Sequence, residues 1–149
     1  MIQRKQTIFL FLAVIFLAQL FIFPVYGFEK EGQHMLFYIY GLGAFSFDYF
    51  VTIALNVSSI LVVVAVIFLY KNRKQQLLLC KIATLLIAGL IVAIFYFAEN
   101  AKSLPELVGY TSEIRPMMVA PLTALVMIIF ANRFIKKDEE LVRSADRLR

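Results

Sequence analysis

Residues 50–70, FVTIALNVSSILVVVAVIFLY, carry no charged side chain over 21 positions. The hydrocarbon core of a bilayer is about 30 Å thick and a helix rises about 1.5 Å per residue, so about 20 mostly apolar residues cross it. The stretch is long enough, and it does not alternate apolar with polar as a half-buried strand does. Three flanking stretches read the same way. Residues 77–98 are apolar except for Lys81 near one end, residues 116–135 are uncharged until Arg133, and residues 7–26 are interrupted by Gln19 and Pro24. The whole chain is 62% hydrophobic and 17% charged, with mean hydropathy +0.83. A soluble domain is roughly 45–50% apolar and about 25% charged, so a compact soluble fold could not hide these side chains. Disorder is excluded by the same excess, and a disulfide scaffold by the single Cys80. The expected fold is all-α: one membrane domain over residues 1–149, an antiparallel bundle of four transmembrane helices at 7–26, 50–70, 77–98 and 116–135, with a helical cytoplasmic tail at 136–149.

Charge sets the expected orientation. Arg4 and Lys5 precede the first stretch; Lys71, Arg73, Lys74 and Lys81 follow the second; Arg133, Lys136, Lys137, Arg143, Arg147 and Arg149 close the chain. The other two connections hold Lys30, Lys102 and Arg115. Alternate sides therefore carry twelve and three cations, which places both termini and the middle loop in the cytoplasm. A secretory signal ending near Val25-Tyr26-Gly27 is the competing reading of the first stretch. The net charge of +5 follows from topology and does not mark a nucleic-acid surface.

Polar residues inside the spans are few. Thr52, Asn56 and Ser59 share one face of the second stretch at i, i+4 and i+7, and Gln19 lies in the first. These are expected to pack the bundle, since small and polar residues let transmembrane helices approach and bond; a polar solute path is the sharper alternative. No Asp or Glu lies mid-span, which argues against ion-coupled transport. One His and one Cys exclude bis-histidine haem and paired-thiol chemistry. With no nucleophile–base set, phosphate loop or metal-ligand spacing, no enzymatic activity, metal or cofactor is expected.

The outer segment from His34 to Phe50 is rich in Phe and Tyr, as an aromatic belt is. It suggests either a hairpin around Gly41-Leu42-Gly43 or an interfacial helix. Thr111 or Ser112 is expected to cap the fourth helix outside Pro116, and Pro121 to bend it. The tail lacks Gly and Pro, pairs Lys136 with Glu140 at i, i+4 and carries a thin apolar stripe, so the fourth helix should continue into it.

Three stretches resemble an uncharacterised family of bacterial four-pass membrane proteins. They are Met1-Ile2-Gln3-Arg4 with Gln6-Thr7, Ile67–Arg73 with Gln75 and Cys80, and Ala131-Asn132-Arg133 followed by Lys137-Asp138-Glu139, Leu141-Val142-Arg143-Ser144 and Asp146–Arg149. The resemblance implies an inner-membrane location and four helices, and supplies no activity. All three stretches fall on the side that the charges assign to the cytoplasm. The expected working surface is therefore Arg4, Gln6, Lys71, Asn72, Arg73, Gln75, Asn132, Arg133, Asp138, Arg143 and Asp146, with Arg4 or Arg73 reaching Asp138 or Glu139. The expected role is a non-catalytic subunit or scaffold, with the bilayer, a membrane or cytoplasmic protein, or a second copy as partner. The alternative is a small oligomeric carrier or channel for an uncharged or lipidic solute.

Overall fold

The computed structural model describes residues 5–30, 32–42, 49–70, 72–102 and 109–147. Its helices are α1 (Lys5–Gln19), α2 (Phe50–Phe68), α3 (Arg73–Ala101) and α4 (Ala120–Arg147), the last entered through a 3-10 turn at Pro116–Val119. Each buries one stripe at alternating spacings of three and four: Gln6, Leu10, Ala13, Leu17 and Leu20; Thr52, Asn56, Ser59, Val63 and Val66; Gln76, Cys80, Ala83, Ile87, Leu90 and Ile94; Ala124, Ile128, Ala131 and Ile135. That spacing is the seam of left-handed helix packing. The helices form a ring in which α1 touches α2 and α4, and α3 touches α2 and α4.

The outward positions are apolar too. Phe11, Ile22, Leu61, Leu85, Val92 and Val126 are exposed. In water this would be untenable, whereas in lipid it costs nothing. Three helices, Phe50–Phe68, Arg73–Ala101 and Pro116–Leu141, are long and apolar enough to cross a membrane. The fourth, α1, is shorter: its 15 residues rise about 22 Å, and it ends at Gln19, well before residue 26. Beyond it the chain is turned, with Phe21 N–H donating to the Ala18 carbonyl and Phe23 N–H to that of Gln19.

An all-α fold is not what forms. One end of the bundle carries a four-stranded antiparallel sheet, ordered β3-β2-β1-β4, from β1 (Tyr26–Lys30), β2 (Gln33–Tyr38), β3 (Gly41–Leu42) and β4 (Thr111–Ile114). Tyr26 pairs with Phe37 on one side and Ile114 on the other. The main hairpin turns at Gly32, which takes φ +82°, a conformation glycine reaches without a Cβ clash. Of the two readings of this segment, hairpin or interfacial helix, a hairpin forms; its turn is at Ile39-Tyr40, just before the glycines, and it sets Tyr38 opposite Gly41; residues 43–48 lie outside the described residues. Phe28, Phe37 and Ile39 are buried where the sheet meets the bundle, and Tyr49 sets its ring edge against Phe37 (5.2 Å) and Phe97 (5.4 Å).

One expectation about the start of the fourth helix fails. Thr111 and Ser112 are strand residues of β4, paired with Glu29 and Phe28, so they cap nothing. Pro121 is the second residue of α4, and the chain changes from the 3-10 turn at Pro116–Val119 to α-helix just before it. The helical continuation through the tail is present to Arg147.

Candidate functional site

The end of the bundle opposite the sheet brings together the α2–α3 turn, the start of α1 and the far half of α4. Phe9 of α1 stacks on Phe134 of α4 at 5.4 Å and tilts against Phe130 at 5.8 Å, so the first and last helices meet here. The turn between α2 and α3 is tight. Asn72 caps α3, its side-chain oxygen accepting from Gln75 N–H at 3.3 Å, as N-cap residues do. Arg73 follows in the first turn and reaches across to α4, where its Nη1 donates to the main-chain carbonyl of Asp138 at 2.7 Å. The α2–α3 turn and the C-terminal part of α4 are thus joined, through backbone and not through a carboxylate.

Between α3 and α4 at this end lies a groove of about 410 Å³ lined by Leu77, Lys81, Asn132, Lys136, Glu139 and Glu140. It holds two ammonium and two carboxylate groups beside one amide. Lys136 Nζ meets Glu140 Oε1 at 4.0 Å, with both side chains about 70% exposed, a geometry worth little in stability.

The sequence-derived surface divides. Gln75 and Arg133 are exposed, Asn132 and Asp138 are half-buried, and Gln6 is buried inside α1's stripe, so Gln6 belongs to the core and not to a surface. Arg4 and Lys71 lie outside the described residues, as do the side chains of Arg143 and Asp146, whose backbone is helical.

The intramembrane set is more uniform. Thr52, Asn56 and Ser59 are all buried on one face of α2. Thr52 Oγ1 reaches the Ile39 carbonyl (2.5 Å) and the Tyr49 carbonyl (2.6 Å), holding the hairpin against the start of α2. Asn56 Nδ2 donates to the Leu17 carbonyl at 3.2 Å. Ser59 bonds its own helix at Leu55, and Gln19 is half-buried at the end of α1.

Gln76 is a buried polar residue that the sequence reading passed over. Its Nε2 donates to the Val66 carbonyl at 2.8 Å, one of the last carbonyls of α2, which have no intrahelical partner. The signal was available: Gln76 precedes Cys80, Ala83 and Ile87 at the spacing of the buried stripe. The Oε1 atoms of Gln6 and Gln76 and the Oδ1 of Asn56 are buried without a protein partner.

At the sheet end the few charges are neighbours of opposite or aromatic groups. Glu29 and His34 face each other across β1 and β2 at 3.7 Å. Lys102 Nζ donates to Glu99 Oε2 at 2.7 Å and lies 5.8 Å from the Tyr26 ring; the bond it makes to Glu99 holds its pKa above the usual lysine value. Among the described residues no cluster of three or more His, Cys, Asp or Glu could hold a metal.

No curated protein and no solved structure matches the chain. The family described as a domain of unknown function (DUF4293) matches residues 2–148, nearly the whole length, and the chain belongs to that family.

Proposed function

We propose that this protein is a four-pass membrane subunit without chemistry of its own, with both termini in the cytoplasm, acting on a partner through the end built by the α2–α3 turn and the C-terminal half of α4. The observation that carries this reading is the use made of the interior polar groups. Thr52, Asn56 and Gln76 each donate to a main-chain carbonyl of a neighbouring element. A solute path needs polar groups turned to a lumen, and the donor atoms of these three are turned to backbone.

The short α1 fits a fourth crossing. The turns at Leu20 to Phe23 satisfy their N–H groups on carbonyls of residues 17–19, so the non-helical backbone there carries the hydrogen bonds that a lipid environment demands. The sheet then lies at the outer interface, with its aromatic rings at headgroup level. Charge supports the same sidedness: Lys30, Lys102 and Arg115 are the cations of the sheet-end connections, against twelve in the rest of the chain.

Reporter fusions at both termini and a cysteine accessibility scan test the topology. Cytoplasmic signals from both ends, with Ser112 labelled only from outside, are expected. Opposite compartments for the two termini would overturn it. Photo-crosslinkers at Gln75 and Arg133, compared with one at Ser112, then test the working face, where discrete adducts are expected from the first two positions.

A further inference from the structure

The groove between α3 and α4 lies where the apolar part of both helices ends. Leu77 and Lys81 are four and eight residues into α3, about 6 and 12 Å along its axis from Arg73. Asn132 to Glu140 is the first polar run of α4, again about 12 Å long. Headgroup layers are about 5–8 Å deep on each side of the hydrocarbon, so the groove spans one such layer. Lys81, flanked by Leu77-Leu78-Leu79 and Ile82, is one turn inside the apolar segment, and its ammonium must extend toward the interface to stay solvated.

The charges in the groove are of both signs. Lys81 and Lys136 present ammonium groups, Glu139 and Glu140 present carboxylates, and Asn132 adds an amide. Its volume, about 410 Å³, is in the range of small-molecule sites, about 300–1,000 Å³. A purely anionic headgroup would satisfy the lysines and meet repulsion from the glutamates. A quaternary ammonium has no N–H to donate to them. A phosphodiester joined to a primary ammonium complements both halves, with charge-assisted bonds to each.

We infer that the Lys81, Asn132, Lys136, Glu139 and Glu140 groove is a binding site for the phosphoethanolamine headgroup of a membrane lipid. The lysines and Asn132 hold the phosphate, the glutamates accept from the ammonium, and the acyl chains run along the exposed apolar faces of α3 and α4. The inference rests on the membrane reading above but not on which side of the bilayer this end faces.

Native mass spectrometry of the full chain in detergent, titrated separately with phosphatidylethanolamine, phosphatidylcholine and phosphatidylglycerol, tests it. Phosphatidylethanolamine is expected to be retained at least fivefold better than either of the others. Lys81→Ala and Glu139→Gln should each abolish that preference, while Lys81→Arg keeps it and Lys137→Ala, exposed and outside the groove, leaves it unchanged. Circular dichroism of each variant shows whether the helices are intact; an unfolded Lys81→Ala is replaced by Lys136→Ala. Equal retention of the three lipids, stronger retention of phosphatidylglycerol, or a preference that survives Glu139→Gln overturns the inference. Failure of the membrane reading would look different: the chain would stay soluble without detergent.

Discussion

The carboxamide of Asn56 donates to the Leu17 carbonyl at 3.2 Å, joining α2 to the point where α1 unwinds. In a continuing helix that carbonyl would accept from Phe21 N–H, which instead bonds Ala18. Leu20 N–H reaches Leu17 at 3.3 Å in a tighter turn, and Asn56 supplies the second donor.

Asn56→Leu removes this bond and also the buried Oδ1, which has no protein partner. Polar contacts between helices in membranes average about 0.6 kcal/mol, and leucine keeps the branched skeleton but is bulkier than asparagine at a fully buried position, so the loss in unfolding free energy should be about 1–3 kcal/mol. Equilibrium unfolding in mixed micelles measures it. In cells the variant should assemble as the parent does. Abolished function with unchanged folding would mean that the amide serves a solute path after all.

Gln76 should be comparably costly to replace. Gln76→Ala leaves the Val66 carbonyl without its donor and opens a void in a fully buried layer, for a combined cost of about 2–3 kcal/mol. Gln76→Met refills the space but not the bond, and should cost about 1–2 kcal/mol. The same unfolding measurement ranks the three, and a Met variant as unstable as the Ala variant would show that the hydrogen bond, not the packing, dominates.

What was legible in the sequence follows from periodicity. Thr52, Asn56 and Ser59 stand at helical spacing inside an apolar run, so their shared burial could be read directly. The same signal located α2 to within two residues, but it missed the first turn and the last three residues of α3, which runs from Arg73 to Ala101 and not over 77–98. Gln76 carried the same spacing but was masked by the adjoining basic turn, where composition suggests solvent. A hairpin was one of two readings of residues 34–50, but the four-stranded sheet that it forms with β1 and β4 was hidden for another reason. Its central strand holds Gly27 between Tyr26 and Phe28 with no polar alternation, and its partner Ile114 lies 88 residues away in the chain. Pairing at that separation leaves no local pattern. The charged surface was half legible: Arg73 does reach Asp138, but the atom it finds is a backbone oxygen, which no sequence pattern specifies.

Arg73→Ala should loosen the tail. The guanidinium bond to Asp138 is part-buried, and a solvent-screened bond of this kind is worth about 1 kcal/mol. Spin labels at Gln75 and Glu140 should report a single narrow distance in the parent and a broadened distribution in the variant. Arg73→Lys, with one compact donor group, should fall between them. An unchanged distribution in Arg73→Ala would mean that helix packing alone sets the position of the tail.

Gly27 and Arg115 should behave as a coupled pair. A Cβ built on Gly27 would lie 2.7 Å from Arg115 Nε and 3.1 Å from Nη2, so the guanidinium lies across the strand where a side chain would stand. Arg115 Nε is buried without a protein partner, and Nη2 is 3.7 Å from Glu113. Gly27→Ala therefore has two opposed effects. Alanine favours the strand by about 0.5–1 kcal/mol through chain entropy, while displacing the guanidinium costs at least as much, although the end of an arginine can shift. In the parent background the substitution should be destabilising by about 1 kcal/mol or less. In an Arg115→Ala background the obstacle is gone, and Gly27→Ala should become neutral or stabilising. A double-mutant cycle on unfolding free energies isolates this term, with a coupling of about 0.5–2 kcal/mol expected. Additivity of the two substitutions within about 0.3 kcal/mol would show that Arg115 does not rest on Gly27 in the membrane.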